Sequence, residues 1–388
     1  MPTLTTHAQT GTDQVDQSDS ATPAQQQPVS TNEDPKLSRD QALTPKDVLE
    51  EGAPKRIKKV IDRVEEKAVE KREEGIISKI ELGALIELEA RASTDYAGES
   101  DSGFTLATFE PYILLRPIDW MILDLALLYE QDVTDLEVDI ASISMRNKNK
   151  IPFYAIIGQT YMPFGNYDTN MISDPLTLVI GEAREKGIQL GYVDKNINLN
   201  AYIFSGEINR VDQDETLSSF GASVSYTTKY YGNKLKMGAG YISNMGDSDT
   251  LQEFISTTDT VPGFSAYAKA DRGSFGFIAE YVTALDDFYA PNPDYAGLGT
   301  RPSAFNLELG FRFISFTKTS IVSLGYQGTD ESVLIGLPKQ RLLTTYRMYK
   351  VSNINLSFEY AYERDYAVNE GGTGRNASSF TAQASIVF

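Results

Sequence analysis

From Ile76 to the C-terminal Phe388 the chain alternates apolar with small or polar side chains at a period of two. Successive side chains of a strand point to opposite faces, so this period predicts strands with one apolar and one polar side. The last strand shows it plainly: Phe380, Ala382, Ala384, Ile386 and Phe388 share one face, and Thr381, Gln383 and Ser385 the other. Between Ile354 and Glu363 the apolar and aromatic members Ile354, Leu356, Phe358, Tyr360 and Tyr362 all lie at even numbers. Between Ser303 and Phe313, Phe305, Leu307, Leu309, Phe311 and Phe313 stand opposite Asn306, Glu308, Gly310 and Arg312. The pattern predicts sixteen strands, near residues 76–91, 102–116, 118–131, 136–146, 151–160, 182–194, 196–208, 218–230, 232–244, 263–271, 274–284, 303–314, 318–327, 340–350, 353–364 and 377–388. Strands of about ten residues are long enough to cross a bilayer at the tilt used in barrels.

The connections alternate short and long. Tight turns are expected at 116–118, 146–150, 194–196, 231–233, 271–273 and 351–353, and long segments at 161–181, 245–262, 285–302, 328–339 and 365–376. The link at Gln131–Asp135 is short where a long one is due. Acidic residues such as Asp95, Glu99, Asp247, Asp249, Glu253, Asp287 and Glu331 gather in the long segments, and Lys and Arg in the short turns. Meandering membrane barrels have short turns on one side and long loops on the other. A soluble sandwich has no reason to separate loop length and charge in register. The expected fold is therefore all-β: a sixteen-stranded antiparallel transmembrane barrel over 76–388. An even strand number puts both barrel ends on the short-turn, periplasmic side.

Two segments precede it. Residues 1–44 are rich in Thr, Gln, Ser, Asp and Pro with few large apolar side chains, so they are expected to be disordered. In 45–75, Ile57, Val60, Ile61, Val64 and Ala68 recur at helical spacing, predicting a short periplasmic amphipathic helix that stops at Gly75. It suits either a solvated helix at the barrel mouth or a short oligomerising coiled coil. Met1-Pro2-Thr3-Leu4 carries no basic start followed by an apolar stretch, as expected of the mature form of an exported chain.

Composition narrows the chemistry. The 388 residues carry a net charge of −19, no cysteine, one histidine, 22 tyrosines and 18 phenylalanines. No apolar run approaches the length of a membrane helix, but alternation hides lipid-facing strands from hydropathy averages. Without cysteine there are no disulfides or thiolate sites. His7 lies in the polar head, so no Ser–His pair can be assembled in the barrel, and an enzyme is not expected. Gly371-Gly372-Thr373-Gly374 lacks the Lys-Ser/Thr ending of a phosphate loop, no basic stripe suggests nucleic acid, and neither a metal nor a cofactor is expected.

What remains is a lumen. If the large apolar residues face lipid, Glu81, Glu87, Glu89, Asp124, Glu280, Glu308, Arg312, Arg347, Glu359 and Glu363 point inward. Sixteen strands enclose an aqueous channel rather than a filled core. Such a mostly carboxylate lining would favour cations or neutral solutes. The segment after strand five is the most structured of the long connections. Pro163 and Gly165 mark a turn, Asp174 and Pro175 another, and Phe164, Leu176 and Leu178 need somewhere to bury. It either folds inward and narrows the channel or packs on the rim. As a constriction or selectivity element it would include Gln159, Tyr161, Pro163, Phe164, Gly165, Asp174, Pro175, Glu182 and Arg184.

This stretch carries a resemblance. GQTYMPFGNY (158–167), SDPLTLVIGEAREKGIQLGY (173–192), AYIFSGE (201–207), SFGASVSY (219–226), GYISNMGDSD (240–249) and AEYVTALDDF (279–288) follow one another as in the LbtU-type siderophore porins, over roughly residues 78–388. The resemblance implies an outer-membrane barrel that takes up iron-loaded siderophore without the plug domain of energised receptors. It ties no ligand contact to a particular residue. Acidic loops fit a neutral or cationic ligand, or divalent ions that bridge lipopolysaccharide. Expected partners are a ferric siderophore or another small solute, outer-membrane lipid and lipopolysaccharide, and further copies in a homotrimer. A porin for sugars or organic acids and a non-conducting surface adhesin are the alternatives.

Overall fold

The computed structural model describes residues 80–118, 120–146, 151–206, 217–254, 260–288, 301–351 and 354–388. The expected segments 1–44 and 45–75 lie outside the described residues. All sixteen expected strands are present: β1 (Ile80–Thr94), β2 (Ser100–Ile118), β3 (Met121–Glu130), β4 (Thr134–Arg146), β5 (Phe153–Tyr161), β6 (Arg184–Asp194), β7 (Ile197–Ser205) and β8 (Leu217–Tyr230) in the first half. The second half holds β9 (Asn233–Ile242), β10 (Gly263–Arg272), β11 (Phe275–Ala284), β12 (Ser303–Ser315), β13 (Lys318–Asp330), β14 (Gln340–Val351), β15 (Ile354–Arg364) and β16 (Asn376–Val387).

Each strand pairs antiparallel with its sequence neighbours, and β1 pairs with β16, Leu85 opposite Val387, to close the barrel. Closure leaves no unpaired edge, which a strand exposed to hydrocarbon could not tolerate.

The wall is inverted relative to a soluble protein. On β12, inward Asn306 and Glu308 are 0% and 2% exposed, whereas outward Leu307 and Leu309 are 42% and 50% exposed. The same alternation runs through β15 and β16, where Glu359, Thr381, Gln383 and Ser385 are buried and Phe358, Tyr360 and Phe380 are exposed. Apolar surface left in water costs roughly 25 cal/mol per Å². A continuous outer belt of such residues is stable only against an apolar solvent. Neighbouring rings add to it, Phe275 on β11 meeting Phe311 on β12 with centroids 5.1 Å apart.

The two ends differ as the loop lengths predict. At one end β8–β9 turns through Tyr231 (φ 47°) and Gly232 (φ 79°), and β12–β13 through Phe316 (φ 47°) and Thr317 (φ 65°). Two successive left-handed residues make the hairpin turn whose twist matches the strands. The other end carries the segments 162–183, 243–254, 260–262, 331–339 and 365–375, with the exception at 131–133 as expected. These hold two short helices that the sequence pattern did not predict, α1 (Leu176–Gly181) and α2 (Leu251–Phe254). One or two turns are too short to display a 3.6-residue period.

At this end Tyr366 ties two loops together. Its hydroxyl meets Thr329 Oγ1 at 2.6 Å and accepts the Ser332 N–H at 3.2 Å, and Lys339 Nζ sits 4.7 Å from its ring centre. Burial pushes the Tyr366 phenol above its ordinary pKa.

Candidate functional site

The segment 162–183, between β5 and β6, lies against the inner faces of strands on the far side of the barrel. Its backbone has no strand partner there, and a buried N–H without an acceptor is costly. Three inward carboxylates supply the acceptors. Glu280 on β11 receives the N–H of Asn166 at 2.7 Å, the N–H of Tyr167 at 3.1 Å and the Thr177 hydroxyl at 2.8 Å. Glu308 on β12 receives the Asn170 N–H at 2.7 Å and the Thr169 hydroxyl at 2.5 Å. Glu359 on β15 receives the N–H of Ile172 at 2.6 Å and of Ser173 at 3.1 Å. Hydrogen bonds to an ionised acceptor are roughly twice as strong as neutral ones.

Donors on the wall complete the attachment. Lys236 Nζ on β9 donates to Asn166 Oδ1 and Lys269 Nζ on β10 pairs with Asp168, both at 2.9 Å. Arg347 on β14 donates to the Met171 carbonyl at 3.1 Å, and Arg341 to the Asp174 carbonyl at 3.4 Å. Gln327 on β13 accepts the Leu176 N–H at 3.4 Å. Every one of these wall groups has the inward parity of its strand.

Apolar packing fixes the rest. Phe164, Leu176 and Ile180, all at most 1% exposed, join Tyr202 and Phe204 of β7, Ile242 of β9 and Val282 of β11 in one core inside the long-loop end. Burying each such side chain contributes about 1.5–3 kcal/mol. Met171 packs against Leu343 and Ala361 further round the wall. Two strand positions let the backbone approach. The Ser265 hydroxyl donates to the Phe164 carbonyl, and a Cβ built on Gly240, paired with Ser265, would lie 2.1 Å from that same oxygen. Only glycine fits there.

The sequence-predicted residues divide into groups. Pro163, Phe164, Gly165 and Pro175 are buried in the inward segment, while Asp174 is exposed. Gln159, Tyr161 and Arg184 instead belong to a node on β4–β6. There Asp139, fully buried, accepts the Tyr161 hydroxyl at 2.6 Å and pairs with Arg184 at 3.1 Å, and Arg184 also meets Glu137 at 2.6 Å. Gln159 donates to the Val138 carbonyl at 2.6 Å. Glu182 is buried and its carbonyl accepts the Asp249 N–H at 2.9 Å.

Of the expected lining, Glu280, Glu308 and Glu359 do point inward, but they hold the loop backbone rather than open water. Arg347 holds Ser357 as well as the loop, and Glu363 pairs with Arg341 at 2.6 Å. Arg312 lies near the short-turn end, half exposed and 3.8 Å from Asp271. Glu81, Glu87, Glu89 and Asp124 sit on β1 and β3, outside the strands β9–β15 that hold the segment. Glu87 accepts the Thr108 hydroxyl at 3.3 Å, and Glu89 accepts Gln383 Nε2 at 2.8 Å. Lys236, Ser265, Lys269, Gln327 and Arg341 were not foreseen as site residues. Their signal was available as polar groups at inward parity, with nothing to show which of them a distant loop would reach.

No protein-family model matches the chain. A UPF0422 protein of Coxiella burnetii (strain RSA 493 / Nine Mile phase I) is 31% identical over 308 residues, covering 75% of this chain and 66% of that protein. A UPF0422 protein of Legionella pneumophila (strain Lens) is 25% identical over 287 residues, covering 65% of this chain and 53% of that protein. The chain thus spans between about half and two-thirds of the curated relatives it matches. Among solved structures, the outer membrane channel DcaP of Acinetobacter baumannii superposes with a TM-score of 0.54 at 16% identity, covering 80% of this chain and 97% of that one. An anion-selective porin from Comamonas acidovorans gives 0.56 at 10% identity, covering 80% and 99%. OprB of Pseudomonas putida gives 0.58 at 8% identity, covering 80% and 94%. The chain is similar to the UPF0422 proteins and has the fold of the outer-membrane porins. At these identities the structural likeness is one of fold.

Proposed function

We propose that this chain is an outer-membrane porin whose segment 162–183 narrows the channel, and that its solute is an iron-siderophore complex. The observation that carries the channel reading is the attachment of that segment to Glu280, Glu308 and Glu359 inside an inverted, closed barrel. In this reading the long loops face the exterior and the short turns the periplasm.

The siderophore assignment rests on the sequence motifs at 158–192 and 240–249 that resemble the LbtU-type porins. Several of those motif residues, among them Phe164, Asn166, Leu176 and Gly240, are the ones that seat the inward segment. With three carboxylates committed to the loop, the charge preference of the lumen depends on fewer groups than the sequence suggests. Acidic lining on β1–β4 lies outside the strands that anchor the segment.

Planar-bilayer recording of the purified protein tests both parts. Discrete conductance steps, reversible block by a ferric siderophore at micromolar concentration, and gene-dependent growth on that siderophore under iron limitation are expected. An absence of current removes the porin. Current without any ferric complex blocking or supporting growth leaves a porin for another solute.

A further inference from the structure

On the outer face of β13–β16, at the long-loop end, lies a pocket of about 340 Å³. Beside Gly374 of the β15–β16 loop, its lining forms two rows on the strands. Tyr326, Leu342 and Tyr362 are register partners across β13, β14 and β15, and all are exposed. Two residues further along, Gln340, Arg364 and Asn376 are partners across β14, β15 and β16. All six have outward parity, and two residues along a strand is about 6.6 Å.

The upper row is unusual because its groups are unused. Lys339 nearby is occupied by Asp330 at 2.7 Å and Glu370 at 3.4 Å, and Arg341 by Glu363. Asp365 accepts from Thr373 and Tyr366. Arg364, Gln340 and Asn376 make no side-chain hydrogen bond or ion pair among the described residues. A guanidinium with five donors thus stands between two amides on a wall that is otherwise apolar. Tyrosines on the outside of a barrel sit at the level of lipid headgroups. The row just beyond Tyr326 and Tyr362 then falls at the depth of headgroup phosphates, and the row below reaches the start of the acyl chains.

We infer that Gln340, Arg364 and Asn376 bind the phosphate of an outer-leaflet membrane lipid, with its first acyl carbons lying on Tyr326, Leu342 and Tyr362. Arginine matches phosphate geometry through paired donors, and the apolar floor selects a lipid over free phosphate. The inference rests on the outer-membrane placement proposed above, which sets the leaflet.

The test is native mass spectrometry and phosphate analysis of lipid retained by the detergent-purified full chain. The comparison is among wild type, Arg364→Gln, and Arg272→Gln at the opposite end of the barrel, with inorganic phosphate as a competitor. Wild type and Arg272→Gln retain a phosphorylated lipid, and Arg364→Gln retains about tenfold less, as expected for loss of a charge-assisted pair. Equal retention by Arg364→Gln, equal loss in Arg272→Gln, or displacement by millimolar inorganic phosphate overturns the site. A protein that stays soluble without detergent overturns the membrane placement itself, a separate result.

Discussion

Glu280 on β11 accepts the backbone N–H of Asn166 at 2.7 Å, across 114 positions of sequence and from one side of the barrel to the other. This contact converts a surface connection into an internal one. Replacing Glu280 by Ala leaves the N–H groups of Asn166 and Tyr167 without an acceptor, at a cost of about 1.5–3 kcal/mol. The expected outcome is a loosened segment: noisier, larger single-channel currents and new protease cleavage within 163–176. Glu280→Gln, which keeps an acceptor but not the charge, falls between Ala and wild type.

Gly240 is a second control point. A methyl group there meets the Phe164 carbonyl at 2.1 Å, so Gly240→Ala must push the segment off the wall or distort β9. Overpacking of this kind costs about 1–3 kcal/mol. A lower unfolding temperature on heat-modifiability gels checks the strain, and increased conductance checks that it is the loop that yields.

Arg184 separates fold from channel. It pairs with Asp139 and Glu137 on β4, away from the inward segment's anchors on β9–β15. Arg184→Ala is expected to lower thermal stability by about 1.5–3 kcal/mol, the range for a hydrogen bond to a charged group, with little change in conductance. A conductance change as large as that of Glu280→Ala would place Arg184 in the channel lining instead.

Lys269 and Asp168 lie 2.9 Å apart, and the chain has no native cysteine. The double variant Asp168→Cys/Lys269→Cys is therefore expected to be bridged within one chain by a short bis-maleimide, each thiolate adding to one of its two alkenes. Intramolecular cross-linking is read by intact mass after denaturation.

The barrel was legible because its physics is local. Leu307 and Glu308 declare opposite faces by adjacency alone, and Tyr231-Gly232 declares a turn by its residue types. Repetition over sixteen strands then leaves one closed topology. The inward segment was only half legible. Phe164, Leu176 and Leu178 announced a need for burial, yet whether they would bury at the rim or inside the barrel was undetermined. That choice depends on Glu280, Glu308 and Glu359, which look like ordinary lumen charges until their partners more than a hundred residues away are known. Helix α1 was invisible for a simpler reason: one and a half turns carry no period.

The central claim is that residues 162–183 occupy part of the lumen. Its most direct test is the single-channel conductance of a variant in which 163–176 is replaced by a short Gly-Ser linker, measured in the same bilayer and salt as wild type. A larger conductance with weaker discrimination between solutes is expected. Unchanged conductance and selectivity in a correctly folded barrel would contradict it.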